Sequence, residues 1–278
     1  MKVLGIVGPS ESGKTATVER LVERLADRGS VATVKHLTHE PVLDTEGKDT
    51  ARHREAGAGT TIGLTDDVGW FATGDSLTLD GALETLAPEY DYALLEGFSD
   101  SDLPKVALGG ADPTGPVVAR AADHEALDLE AVIDAIEDVE PFVTLAELVA
   151  AVKTSDHSRF SGAIATFTGR VRRLEDPDDR PTEYLEFEKY DGVAEERLAA
   201  IREELEAREG VYEVRFHHRT GVVEAEEDVV YVVVLAGHRA EAFETVSDGI
   251  DRLKEEVPLF KKEVTVSEEF WAHEGPSA

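Results

Sequence analysis

The chain has 278 residues, 41% of them hydrophobic, and sets 28 Lys and Arg against 59 Asp and Glu, a net charge of −31. That length holds one or two domains, each with its own core, and the acidity excludes a general nucleic-acid binder, because phosphate backbones attract basic surfaces. There is no cysteine, which excludes disulfides, thiolate metal sites and cysteine nucleophiles; any sulfur chemistry needs sulfur supplied from outside the chain. No apolar run approaches the ~20 residues of a membrane helix. The short apolar start flows straight into a glycine loop, unlike a signal peptide, so a cytoplasmic protein is expected. The acids are dispersed instead of gathered in one tail. This is the pattern of a halophile surface, and stability should then rise with salt, which screens the self-repulsion.

In chain order, residues 2–7 (KVLGIV) read as a buried strand. Residues 16–28 read as an amphipathic helix with Val18, Leu21, Val22 and Leu25 on one face and Gly29 as its stop. Residues 31–35, 92–95, 104–108 and 116–119 read as further strands, and 126–137 and 144–153 as helices that close a first domain. The alternation predicts an α/β unit with a parallel-rich sheet and flanking helices. After about residue 155 the strands lengthen and alternate: 162–172, 183–189, 211–219 and 228–236, with helices at 193–209 and 240–256 and a last strand at 261–267. That is an α+β unit with a mainly antiparallel sheet. The expected domains are 1–153 and 154–278, and the polar segment 174–182 is a surface loop.

Gly8-Pro9-Ser10-Glu11-Ser12-Gly13-Lys14-Thr15 fits G-x-x-x-x-G-K-[ST] between a predicted strand and a predicted helix. Glycines let backbone N–H groups turn inward around phosphate oxygens, and the helix N-terminus adds partial positive charge. Lys14 reaches the β- and γ-phosphates, and the Thr15 hydroxyl can hold Mg²⁺. An acidic partner for the metal is expected at the C-terminal end of a parallel strand. Asp91 and Glu96 flank YALL, and Glu96 has the right end.

Of only ten lysines, Lys254, Lys261 and Lys262 fall within nine residues. Lys254 nears the end of one predicted helix and Lys261 opens the strand after Pro258. Paired cations depress each other's pKa, giving a base or nucleophile near neutral pH, and they also hold phosphorylated anions; lysines covering a helix C-terminus are the plainer alternative. Arg170, Arg172, Arg173, Arg219, His238 and Arg239 add cations near predicted strand ends. Arginine suits bidentate phosphate contacts, so the second unit is expected to hold an anion pocket.

Both halves resemble known families. The segments GPSESGKT, VKHLTHE (34–40), GKDTARHREAGA (47–58), LLEGF (94–98) and PKVAL (104–108) resemble the MobB family of molybdopterin-guanine dinucleotide biosynthesis. That resemblance implies GTP as the nucleotide. The family's histidine cluster is reduced here to His36 and His39, and Lys48, Asp49, Arg52 and His53 keep no assigned role. The segments GAIATFTGRVR (162–172), LEFEKY (185–190), HHRTG (217–221), AGHRAEAF (236–243), DRLKEEVPLFKKE (251–263) and Trp271 resemble the catalytic, MoaE-type subunit of molybdopterin synthase. This implies Lys254 and Lys261 as active-site lysines, and substrate contacts at Arg170, Val171, Arg172, His238, Arg239, Lys262 and Glu263. It implies a symmetric homodimer and a ubiquitin-like small subunit whose C-terminal thiocarboxylate delivers sulfur. The substrate implied is cyclic pyranopterin monophosphate, which becomes molybdopterin. The loop 173–182, Val193 in place of a common methionine, and PLF in place of P-F-W depart from the pattern. Two other classes stay open: a nucleotide-dependent adaptor without catalysis of its own, and a small-molecule P-loop kinase.

Overall fold

The computed structural model describes residues 1–38, 49–67, 69–176, 179–190 and 192–265, and the backbone of 268–272. It divides into two compact units, Met1–Phe142 and Val143–Ala278. Among the described residues no helix is long and apolar enough to cross a membrane.

The first unit begins β1 (Lys2–Val7), α1 (Lys14–Leu25), β2 (Val31–Lys35) and α2 (Asp49–Glu55). A hairpin of β3 (Thr60–Leu64) and β4 (Trp70–Gly74) follows, then α3 (Leu79–Leu86), β5 (Tyr92–Glu96), β6 (Lys105–Leu108), β7 (Val117–Ala121) and α4 (Leu129–Asp138). Five strands form one sheet in the order β2-β5-β1-β6-β7, and every neighbouring pair is parallel. Both faces of such a sheet are covered by crossover helices, which is why β1 and β5 are near-continuous apolar runs. On one face α1 buries Val18, Leu21 and Leu25 and α4 buries Val132, Ile133 and Ile136 around Leu4, Ile6 and Leu94. On the other, Leu83 of α3 packs with Val3, Ala93 and Leu95. The helices α3 and α4 start where Thr78 and Asp128 accept from the backbone N–H groups of Gly81 and Ala131 at 3.1 and 3.2 Å, satisfying donors that a helix start leaves orphaned.

Lys105 is fully buried. Its ammonium donates to the carbonyls of Leu103 at 2.8 Å and Thr114 at 3.0 Å, and to that of Ser101. It thereby staples loop 99–116 onto β6. Gly5 of β1 faces it, and a Cβ there would stand 3.0 Å from Lys105 Cγ. Burial lowers the Lys105 pKa from 10.5, against the opposing pull of Asp102 and Asp100.

The second unit contains α5 (Leu145–Thr154), β8 (Ala163–Arg170), β9 (Thr182–Lys189), α6 (Val193–Glu206), β10 (Val211–His218) and β11 (Gly221–Glu224). It ends with β12 (Asp228–Ala236), α7 (Arg239–Glu256), β13 (Leu259–Thr265) and β14 (Glu268–Ala272). Its sheets run β10-β12-β8 and β11-β9-β13-β14, and every pairing is antiparallel. The middle strand β12 is buried from Val229 to Ala236. Helix α7 buries Ala242, Thr245, Val246, Gly249, Ile250 and Leu253, one stripe at helical spacing. Gly249 lets α7 close on the sheet, since a Cβ there would stand 3.3 Å from Phe216 and Val232.

One expectation is corrected here. The predicted helix 144–153, α5, does not close the first unit. It packs Leu148 and Val152 on Tyr231, Val233 and Leu235 of β12, so the units divide at 142/143 and not at 153/154. The first unit also holds elements that sequence reading passed over: α2, the β3–β4 hairpin and α3.

Candidate functional sites

In the first unit the loop Gly8–Gly13 leaves the C-terminal end of β1 and becomes α1 at Lys14. Gly13 has φ 86, in the left-handed region that glycine tolerates, and a Cβ there would lie 2.3 Å from His124 Nδ1. Glu11 also has positive φ, 65. The Lys14 ammonium lies over the loop and donates to Gly8 O at 2.8 Å and Pro9 O at 2.6 Å. Thr15 Oγ1 donates to both oxygens of Glu96 at 3.0 Å, and Glu96 Oε1 also accepts from Lys35 Nζ at 2.8 Å. A threonine hydroxyl beside a carboxylate is a hard-oxygen donor pair of the kind Mg²⁺ takes. Asp91, at the opposite end of β5, bonds the backbone N and hydroxyl of Ser30 at 2.8 and 2.9 Å and serves the turn. The His36 ring stacks on Phe98, centroids 5.0 Å apart. His39 and Lys48 lie outside the described residues, and Asp49, Arg52 and His53 fall on α2.

The second unit holds a cavity of about 620 Å³ whose lining includes both Lys254 and Lys261. Helix α7 contributes Ile250, Leu253 and Lys254, and the residue after its end, Val257, continues the same stripe. Strand β13 contributes Leu259, Lys261, Glu263 and Thr265, its every second residue, as the pleat requires. Phe167, Gly169 and Arg170 of β8 lie along another wall, with Arg172 and Arg180 beyond the strand and Leu185 and Phe187 on β9. Three further cations, Arg170, Arg172 and Arg180, join the two lysines in the lining, with the His218 ring and the carboxylates of Glu175, Asp179 and Glu263 among them. Lys254 is exposed and has no ion pair among the described residues. Arg170 reaches Asp228 at 3.1 Å and donates to Glu226 O, and Arg172 reaches Glu175 at 3.3 Å. Thr182 Oγ1 donates to Glu263 Oε1 at 2.5 Å, which orients that carboxylate. Such a pocket suits an anion with an apolar or planar body.

Comparison with known proteins names the two halves. The family profile described as MoaE protein matches residues 138–256, and that described as molybdopterin guanine dinucleotide synthesis protein B, MobB, matches residues 3–134. A probable molybdopterin synthase of Haloferax volcanii is 53% identical over 274 residues, spanning 99% of this chain and 100% of that protein. The chain belongs to the molybdopterin synthase family. It is a member in which a MobB-type unit precedes a MoaE-type unit. The MoaE-type half is also similar to the molybdopterin synthase catalytic subunit of Pyrococcus abyssi, 38% identical over 125 residues, 45% of this chain and 80% of that one. A solved molybdopterin synthase from Staphylococcus aureus is 31% identical, with a TM-score of 0.42 over 49% of this chain and 93% of that one.

Within this member of the synthase family, the residues expected around the substrate do not all share the cavity. Arg170, Arg172, Lys254, Lys261 and Glu263 line it. Val171 does not: its side chain is 2% exposed in the apolar core. Lys262 points to the other face of β13, 3.8 Å from Glu186, because neighbours on a strand face opposite ways. His238 and Arg239 begin α7, 15 residues before Lys254, about 22 Å away at 1.5 Å per residue. Arg219 pairs with Glu227 at 3.0 Å and bonds Asp228 O. Sequence reading missed Arg180 and His218. Arg180 sits in the segment taken as a plain surface loop, and nothing in its spacing marks it. His218 was within reach, since it lies in HHRTG at the end of β10.

Proposed function

We propose that the chain makes molybdopterin in the cavity of its second unit and binds GTP with Mg²⁺ at the loop of its first. The observation that carries the reading is the single cavity shared by Lys254 and Lys261, ringed by Arg170, Arg172 and Arg180. Its cations suit the phosphate of cyclic pyranopterin monophosphate, with arginine forks for the anion. Phe167, Leu185 and Phe187 give the pterin an apolar wall. Without cysteine in the chain, sulfur comes from a partner: the thiocarboxylated tail of a ubiquitin-like small subunit, threaded in as an extended peptide. Two such tails each give one sulfur to a substrate carbon; each acyl carbon takes an oxygen in exchange, from the substrate C–O bond that breaks or from water, and each tail leaves as a carboxylate. Lys254 or Lys261 moves the protons or holds the tail covalently. His238 and Arg239, at the far end of α7, do not line this cavity; in a symmetric dimer they would be offered to the cavity of the second copy.

In the first unit, Lys14 would bind the β- and γ-phosphates, and Thr15 and Glu96 would hold Mg²⁺, whose charge would offset that of the phosphates. The reading of GTP in place of ATP rests on the MobB-type match. The test is reconstitution: purified chain, thiocarboxylated small subunit and cyclic pyranopterin monophosphate, with and without GTP. Molybdopterin should form, and Lys254→Ala or Lys261→Ala should stop it. No molybdopterin from the intact chain, with GTP still bound, would instead favour an adaptor without catalysis.

A further inference from the structure

Glu96 serves two partners at once, and only one of them belongs to the usual description of a phosphate loop. Lys35 is the last residue of β2 and Glu96 the last of β5. The strands are parallel neighbours with Lys35 opposite Glu96, so both side chains leave the sheet at the edge where loop 8–13 lies. The ends are tied together. The backbone N–H of His36 donates to Glu96 O at 2.9 Å, and the His36 ring rests on Phe98. Between them Gly97, at φ 98, leaves room for His36 Cβ, 2.9 Å from where its own Cβ would be.

The Glu96 side chain is 12% exposed and that of Lys35 is 51% exposed. The acid is held in place, and the lysine is the partner free to swing away. Lys14 is not the group engaged here, because its ammonium is spent on Gly8 O and Pro9 O.

We infer that Lys35 is a metal-exchange residue: its ammonium and a divalent cation compete for the Glu96 carboxylate. This rests on reading the first unit as a nucleotide site. A dication held by Thr15 and Glu96 would sit within a few ångströms of the ammonium that now lies 2.8 Å from Glu96 Oε1, and like charges at that range repel strongly. A free metal ion must break the Lys35–Glu96 ion pair and send the ammonium into solvent. A metal–nucleotide complex brings phosphate oxygens, to which the released ammonium can turn. Lys35 therefore holds off the bare ion and admits the ion that arrives with its nucleotide.

The test is Mn²⁺ binding to the full chain without nucleotide, followed by electron paramagnetic resonance of the unbound ion. Molar KCl screens the many surface carboxylates. Lys35→Met should tighten Mn²⁺ by about 10-fold over the natural chain, a factor worth ~1.4 kcal/mol, and Glu96→Gln added to it should abolish the gain. Lys35→Arg, which keeps the charge, should behave like the natural chain. Equal Mn²⁺ affinity in Lys35→Met and the natural chain would overturn the inference, as would an equal gain in Lys35→Arg. Failure of the underlying reading looks different: the natural chain would then take up no GTP, with metal or without.

Discussion

The two candidate sites are built in opposite ways. That of the first unit comes from one continuous stretch, Gly8–Thr15, with Glu96 and Lys35 added from neighbouring strands. Its shape is set by backbone: a left-handed Gly13 pressed against His124, and a loop closed by Ser12 Oγ donating to Pro9 O at 3.0 Å. The cavity of the second unit comes from α7, β8, β9, β10, β12, β13 and the loop after β8. Its character is set by side chains, and no two of its cations are sequence neighbours. A site made of backbone shows itself as a motif. A site made of side chains from several elements shows only as scattered residues until the fold collects them.

That contrast can be broken by substitution. The largest effect is expected in the cavity, where Lys254→Ala or Lys261→Ala should slow molybdopterin formation by about 100-fold or more, the usual scale for losing a positioned acid or base. GTP affinity of these variants should stay as it was; an undiminished rate would show that the cavity lysines do not act in the chemistry. In the loop, Gly13→Ala should weaken GTP binding by roughly 10-fold, from the ~1–2 kcal/mol cost of left-handed backbone. Ser10→Ala, which spares the backbone, should change GTP affinity little. Equal losses from both, by isothermal titration, would refute a backbone-built site.

Lys105 sharpens the comparison from the side of stability. Lys105→Met removes the donor to three carbonyls and should cost about 2 kcal/mol in denaturant unfolding. Because burial lowers the Lys105 pKa from 10.5, the unfolded chain still holds this proton at pH values where the folded chain has released it. Stability of the natural chain therefore gains an increment as pH rises through that window toward 10.5. The gain should be missing from Lys105→Met, and identical pH profiles would disprove it. The smallest effect belongs to the surface as a whole: with a net charge of −31, the melting temperature should rise with added KCl, and a flat response would argue against salt adaptation.

Much of this was readable in advance, for reasons that differ by residue. The order of β1, loop and α1 follows from a buried apolar run, two glycines and a helical stripe, all local signals. The pairing of Lys254 with Lys261 was legible as a spacing, because a helix end and the strand after Pro258 are neighbours along the chain. The place of α5 was not. Leu148 and Val152 declare an apolar face, but any sheet could cover it, and β12 does so. Lys262 was misplaced because it sits beside true cavity residues on β13, and a strand turns neighbours to opposite sides; Val171, just past the end of β8, turns into the apolar core between Arg170 and Arg172. Arg180 was invisible, since its loop meets the cavity only after β8 and β9 have paired with their partners.

The sequence alone determined that this chain joins a phosphate-loop unit to a lysine-bearing α+β unit. Periodicity, glycine placement and motif spacing act over a few residues and survive without a fold. Which cations face one another, which lysine is turned aside, and which unit owns α5 were decided only by tertiary structure. Those outcomes depend on packing between elements far apart in the chain, and a side chain's direction is settled when its strand or helix finds its partner.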